Sequence, residues 1–251
     1  MCLIGLRLEG HGRLIMAANR DEFADRPTAP MTWWPEGILA GKDLRAGGTW
    51  LGVDRRGRFA AVTNVRDPSL SPDALPRSSR GVMVVEYLLG DEAPVAFAHR
   101  MLRLQSAPAG YNLILGAFTD RALSECIWLG GRTRETRRIE PGVAVLSNAE
   151  LDTPWPKVKR LRQALDNGDM TALASVMCNP EQAGDDDLPD TGVPTAWERR
   201  LSATLITGTD YHTRSTTLIE LDPDGGHIRE MTRNPDGHVE KDMRFDIRWG
   251  C

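Results

Sequence analysis

The chemistry available to this chain starts at its second residue, a cysteine. Cys2 is small enough for a methionine aminopeptidase to remove Met1 ahead of it. Removal leaves an α-amino group, of pKa about 8, on the residue that carries the thiol. A thiol of pKa about 8.5 beside such a base can be activated without a histidine. The run from Cys2 to Glu9 is β-prone, Gly10-His11-Gly12 turns, and Arg13 to Ala18 returns, which is a hairpin pattern. In an antiparallel hairpin about that turn, partner numbers sum to about 22, so Arg20 falls opposite Cys2. Arg20 there favours the thiolate, and Asp21 can hold or orient the α-ammonium.

The elements that must position these groups read as strands and helices in alternating blocks. A polar loop is expected from Asn19 to Thr28. The run Ala46 to Asp54 enters a strand, and Arg55-Arg56-Gly57 turns it into Arg58 to Thr63. Helical spacing of apolar residues predicts helices at Ser79 to Leu89, Ala93 to Leu104, Pro156 to Leu165 and Met170 to Met177. Strands are expected at Tyr111 to Phe118, Leu123 to Leu129 and Gly142 to Ser147. The segment Asn179 to Pro194 has an acidic run, two prolines and no periodicity. It is expected to be a mobile lid bordering the pocket. A short helix near Ala196 to Ser202 precedes strands at Thr204 to Thr207, Ser215 to Asp222, Ile228 to Arg233 and Val239 to Phe245. Hairpins dominate and no βαβ alternation occurs, so the expected class is α+β with antiparallel sheets and external helices. Gly47-Gly48 lacks the spacing of a dinucleotide loop, which argues against nucleotide chemistry.

Bulk composition narrows the function classes. The chain has 251 residues and a formal net charge of −4, so no long-range positive field recruits nucleic acid or an anionic membrane. The basic run Arg132 to Arg138 is expected to solvate a strand edge. No stretch approaches the roughly 20 apolar residues of a membrane span. Charges at Arg7, Glu9 and Arg13 interrupt any signal-peptide core. Cys2, Cys126, Cys178 and Cys251 are scattered without CxxC spacing, which points to a reduced cytoplasmic setting with no zinc site. Cys126 and Cys178 are expected in the core. Of the tryptophans Trp33, Trp34, Trp50, Trp155 and Trp197, most are expected to pack rather than line a cleft.

Several separated motifs, in order, resemble one family. They are Met1-Cys2, Asn19-Arg20-Asp21-Glu22, Gly47-Gly48-Thr49-Trp50-Leu51-Gly52, Leu188-Pro189-Asp190-Thr191-Gly192-Val193 and Thr213-Arg214-Ser215-Thr216-Thr217. Together they are similar to the NRDE (transport and Golgi organisation protein-like) family, over most of the chain. That family resembles the N-terminal-nucleophile hydrolases, more distantly the choloylglycine hydrolase and penicillin V acylase group. The resemblance implies one domain over 1–251, folded as a four-layer αββα sandwich. It implies Cys2 as nucleophile, with Arg20, Asp21, Asn64, Asn148 and Arg214 as catalytic partners and the two asparagines at the oxyanion. It places Asn19, Thr49 and Trp50 among the substrate contacts. The acylase arginine lies three residues before the aspartate, where this chain has Ala18, so Arg20 substitutes from a neighbouring position. His212 stands where members often have glycine and is expected in an exposed loop. The implied function is hydrolysis of an amide or related acyl bond of a small molecule. The alternative is a non-catalytic carrier in haem or lipid/acyl-CoA homeostasis, with no obligate cofactor but haem as a candidate ligand through Cys2, His11 or His212.

Overall fold

The computed structural model describes residues 2–10, 12–65, 79–104, 110–119 and 122–250; Met1, His11 and Cys251 lie outside them. The chain opens with the hairpin β1 (Cys2–Leu8) and β2 (Leu14–Phe23). Their register pairs Leu8 with Leu14 and Cys2 with Arg20, as the turn geometry predicts. The strand β2 runs on through Asn19, Arg20 and Asp21, where the polarity of the sequence suggests a loop. Those polar residues stay in the strand because β1 and β11 (Tyr211–Asp222) bond it on both edges and buried partners satisfy the side chains.

A hairpin not foreseen from the sequence follows, β3 (Thr28–Trp33) and β4 (Ile38–Asp43). Pro30 hides β3 from a strand search, yet proline is tolerated there because β3 is an edge strand with an irregular register. Next come β5 (Leu51–Asp54), β6 (Arg58–Asn64) and helices α1 (Arg80–Leu89) and α2 (Pro94–Arg103). The strands β7 (Tyr111–Thr119), β8 (Ala122–Gly130), β9 (Glu135–Arg138) and β10 (Gly142–Leu146) lead into α3 (Pro156–Asn167) and α4 (Met170–Met177). The edge strand β9 carries the basic run with its side chains mostly in solvent, which discourages edge pairing. After α5 (Thr195–Leu201), strands β11, β12 (Gly225–Arg233) and β13 (Val239–Arg248) close the fold. Thr204 to Thr207 is not a strand, because its backbone serves Asn19, Asn179 and Thr213 instead of a ladder.

Among the described residues, six strands form one sheet in the order β10-β1-β2-β11-β12-β13. Seven form the other, in the order β3-β4-β5-β6-β7-β8-β9. The sheets face each other across the main core, which takes Ile4, Leu6 and Leu8 from β1 and Leu113 and Leu115 from β7. The intervening residues of the first sheet, Leu3, Ile15 and Ala17, pack under α3 and α4. Gly5 permits that contact, since a Cβ there would lie 2.6 Å from Leu165 and 2.7 Å from Leu161. Helices α1 and α2 cover the second sheet. The result is the expected αββα sandwich, with helices covering the outer faces of the two sheets.

Local signals set the helix ends. Ser79 caps α1 by accepting from the Gly81 amide, and Asp169 caps α4 by accepting from Thr171 N at 2.9 Å. Gly168 ends α3 at φ 71°, the left-handed conformation that favours glycine at this position. No helix of the described residues is long and apolar enough to cross a membrane.

Candidate active site

The alternation along β1 and β2 decides which side chains meet. Ile4 and Ala18 face the space between the sheets, so Cys2 and Arg20, two residues further on each strand, face it as well. There they line a cleft of about 350 Å³ at the end of the sandwich. Asp21, Thr49, Trp50 and Asn64 line the same cleft, so six of the nine residues expected to act converge.

Arg20 is held on three sides. Its guanidinium lies 4.5 Å from the Trp50 ring centroid, donates to Thr28 Oγ1 at 3.1 Å and stands 3.6 Å from Glu22. Trp50 thus joins the second sheet to β2 through a stacked cation. Asp21 accepts from Thr213 Oγ1 at 2.7 Å, and that hydroxyl accepts from Ile206 N. Burial pushes the Asp21 carboxyl up, opposed by Lys157, Thr213 and Arg20.

Cys2 is half-buried. Burial pushes its thiol up and the Asp21 charge adds to this, while Arg20 pulls the other way. Arg20 therefore favours the thiolate, as expected, but burial outweighs it and the net shift is upward. Cys126 is buried in the core and pushed up to about 12 by that burial. Cys178 is only half-buried, and its sulfur accepts from Arg233 at 2.9 Å.

Three expected site residues do not line the cleft. Asn19 faces the helix layer, where Nδ2 donates to Thr204 O at 2.7 Å and Met177 O at 3.0 Å and Oδ1 accepts from Thr216. It ties β2 to α4, with its amide engaged on both ends. Asn148 donates from Nδ2 to the Asn64 carbonyl at 2.8 Å, so it braces the asparagine that does face the cleft. Arg214 is the extra residue of a bulge between Thr213 and Ser215. Its guanidinium collects the carbonyls of Phe23, Ala24 and Arg26, which fixes the loop that carries Arg26.

Other residues of the site escaped the sequence reading. Arg26 and Asp43 form a two-pronged pair on the cleft wall, with Nη2 to Oδ2 at 2.7 Å. Burial works to raise Asp43, but Arg26 and the amides of Ala46 and Arg45 hold it below the usual carboxylate range. Glu22, Arg80 and the N-terminal backbone of α1 complete the wall. Behind Arg20, Glu230 is fully buried, accepts from Met31 N at 2.6 Å, and is pushed up to about 7 by burial. Nothing in local spacing marks these positions, since they come from β2, the loop after it, β4, α1 and β12.

Two further expectations are corrected. His212 is buried in β11, not exposed in a loop, and burial lowers its pKa. It does not line the cleft that Cys2 lines. The segment from Asn179 to Pro194 does not border the cleft either. Its acidic run forms a 3-10 turn, Asp185–Asp187, bonded to Arg199, while Pro189 packs beside Trp155 and Leu201. Salt bridging to α5 gives the acidic run partners that the sequence alone does not reveal.

The family model described as Transport and Golgi organisation 2 matches residues 1–234. The Bos taurus Transport and Golgi organization protein 2 homolog is 32% identical over 246 residues, covering 88% of this chain and 86% of its own. The Homo sapiens homolog is 33% identical over 255 residues, covering 92% and 88%. Among solved structures, a mutant conjugated bile acid hydrolase from Clostridium perfringens aligns with a TM-score of 0.48 at 11% identity, over 98% of this chain and 92% of that one. A Caenorhabditis elegans N-acylethanolamine-hydrolyzing acid amidase ortholog aligns with a TM-score of 0.42 at 12% identity, over 88% and 93%. The matched span takes in the whole cleft, from Cys2 through the Asn19-Arg20-Asp21-Glu22 strand to Thr213, and the chain belongs to the Transport and Golgi organisation 2 family.

Proposed function

We propose that this protein is a cysteine hydrolase whose nucleophile is Cys2, exposed by removal of Met1, acting on an amide or related acyl bond of a small molecule. The observation that carries this reading is the convergence of Cys2, Arg20, Asp21 and Asn64 on one cleft. Burial pushes the thiol up, and the free α-amine of Cys2 is the base that takes its proton. The sulfur then bonds to the substrate carbonyl carbon, and the carbonyl oxygen becomes an oxyanion. The Asn64 amide, which lines the cleft, donates to that oxygen. Collapse breaks the C–N bond, and the departing amine takes the proton back from the α-ammonium. Water, deprotonated by the same amine, then cleaves the thioester and restores the thiol. Arg20 offsets charge on sulfur, and Asp21 anchors the ammonium.

The carrier reading draws support from one feature of the same cleft. A thiol pushed up by burial and by Asp21 suits a wall that only holds a ligand. Intact mass with and without a cysteine-reactive amide or lactone probe separates the two. A hydrolase loses one methionine and gains one probe mass at Cys2. Full turnover by a population that retains Met1, or by Cys2→Ala, sinks the nucleophile assignment.

A further inference from the structure

Lys157 is an unusual place for a cation. It is the second residue of α3 and only 2% exposed. The first turn of a helix is its positive end, so an ammonium there works against the helix dipole. Burial adds the cost of removing that charge from water, and it persists only where carboxylates face it.

Two carboxylates do, from two different elements. The helix α3 packs on the face of the first sheet that carries Leu3 and Ala17, and Asp21 lies on that face two pairs further along β2. Among the charged neighbours of Asp21, Lys157 acts on it most strongly, ahead of Arg20. On its other side Lys157 shares a small cavity of about 20 Å³ with Glu198 of α5, itself buried. Glu198 Oε1 accepts from the Thr191 amide at 2.9 Å and from its hydroxyl. The other groups acting on Asp21 are the chain's α-amino group, the Thr213 hydroxyl of β11, Arg20 and the Cys2 thiol of β1.

We infer that Lys157 is a positioning residue for the nucleophile: from beneath the sheet it stands between Asp21 and Glu198 and holds Asp21 in place to anchor the α-ammonium of Cys2. The link to Cys2 rests on the hydrolase reading above; the Asp21–Lys157–Glu198 row does not. The row also gives Thr191 a task. The Leu188-Pro189-Asp190-Thr191-Gly192-Val193 segment is a brace that fixes Glu198 behind the site rather than a cover in front of it.

Carbon-13 labelling of aspartate carboxyls tests this in the intact protein, with Asp21→Asn identifying the Asp21 signal. In Lys157→Met the Asp21 titration midpoint is expected to rise by about one to three pH units, and in Lys157→Arg to stay near wild type. Should Lys157→Met fail to fold, Glu198→Gln serves, since losing the competing carboxylate should lower the midpoint. An unchanged midpoint in whichever variant folds overturns the row. Iodoacetamide labelling of Cys2 across pH is the second readout. Asp21→Asn and Lys157→Met should each alter the wild-type profile, and the double variant should add nothing beyond Asp21→Asn. If the midpoint moves while labelling of Cys2 is indifferent to both residues, the row stands and its link to the nucleophile is overturned.

Discussion

Cys2 sits directly across the β1–β2 ladder from Arg20, and Arg20 stacks on Trp50 of the opposing sheet. The strand β2, which pairs with the Cys2 strand, is therefore clamped to the second sheet at the mouth of the cleft by one guanidinium. Removing that guanidinium has two separable effects. Arg20→Met keeps much of the apolar stem but loses the stack and the Thr28 bond. The thiol should become harder to ionise, because the one charge of Arg20 that opposed burial is gone. Iodoacetamide labelling of Cys2 should shift to higher pH, and an unshifted profile would contradict the electrostatic role.

The two asparagines should behave differently from each other. Asn64 lines the cleft, whereas Asn148 donates to the Asn64 carbonyl from behind. On an identified substrate, Asn64→Ala should lower kcat by roughly 10² to 10³, the usual loss of one oxyanion donor. Asn148→Ala should lower stability by about 0.5–1.5 kcal/mol, because it removes one part-buried hydrogen bond. Urea denaturation beside steady-state kinetics reads both. Equal stability of Asn148→Ala and wild type would show that its bond to Asn64 is idle.

The opening hairpin was legible because a tight turn and an apolar alternation leave one register open, and Cys2 opposite Arg20 follows from it. The fate of Asn19, Arg20 and Asp21 was less legible. Local polarity predicts a loop, but tertiary partners on β11, α4 and the second sheet bury all three inside a strand. The same blindness hid Lys157 and Glu230, whose burial depends on carboxylate and amide partners far away in sequence. The acidic segment after α4 failed in the opposite direction. Its charges suggest a cover for the cleft, but it lies elsewhere, with Asp185 bonded to Arg199.

Adjacent glycines at the cleft wall offer a control on geometry. A Cβ on Gly48 would lie 2.5–2.8 Å from the Gly81 backbone at the start of α1, where no flexible side chain can yield. A Cβ on Gly47 meets nothing, although its φ of 76° disfavours any other residue. Both Gly47→Ala and Gly48→Ala should cost about 1–2 kcal/mol or more. Gly48→Ala alone should push α1 away from the cleft and change the labelling rate of Cys2. Identical labelling in the two variants would argue against α1 as a fixed wall.

The last expectation concerns Glu230, a buried carboxyl lying between the sheets and influenced by Arg20. Burial lifts it from 4.5 to about 7, so the folded protein binds its proton more tightly than the unfolded chain does. The sign follows from linkage: stability tied to this proton is fully present below about pH 4.5 and is lost as pH rises through about 7. Glu230→Gln keeps an acceptor for the Met31 amide and has no charge to bury. The variant should match wild type near pH 4.5 and exceed it at pH 8 by up to roughly 3 kcal/mol, the free energy of a difference of that size between two pKa values. Urea unfolding at the two pH values measures the gap. A constant difference across that range would show that Glu230 does not titrate there. A variant less stable than wild type at pH 8 would show that its carboxylate is held by partners strong enough to outweigh burial.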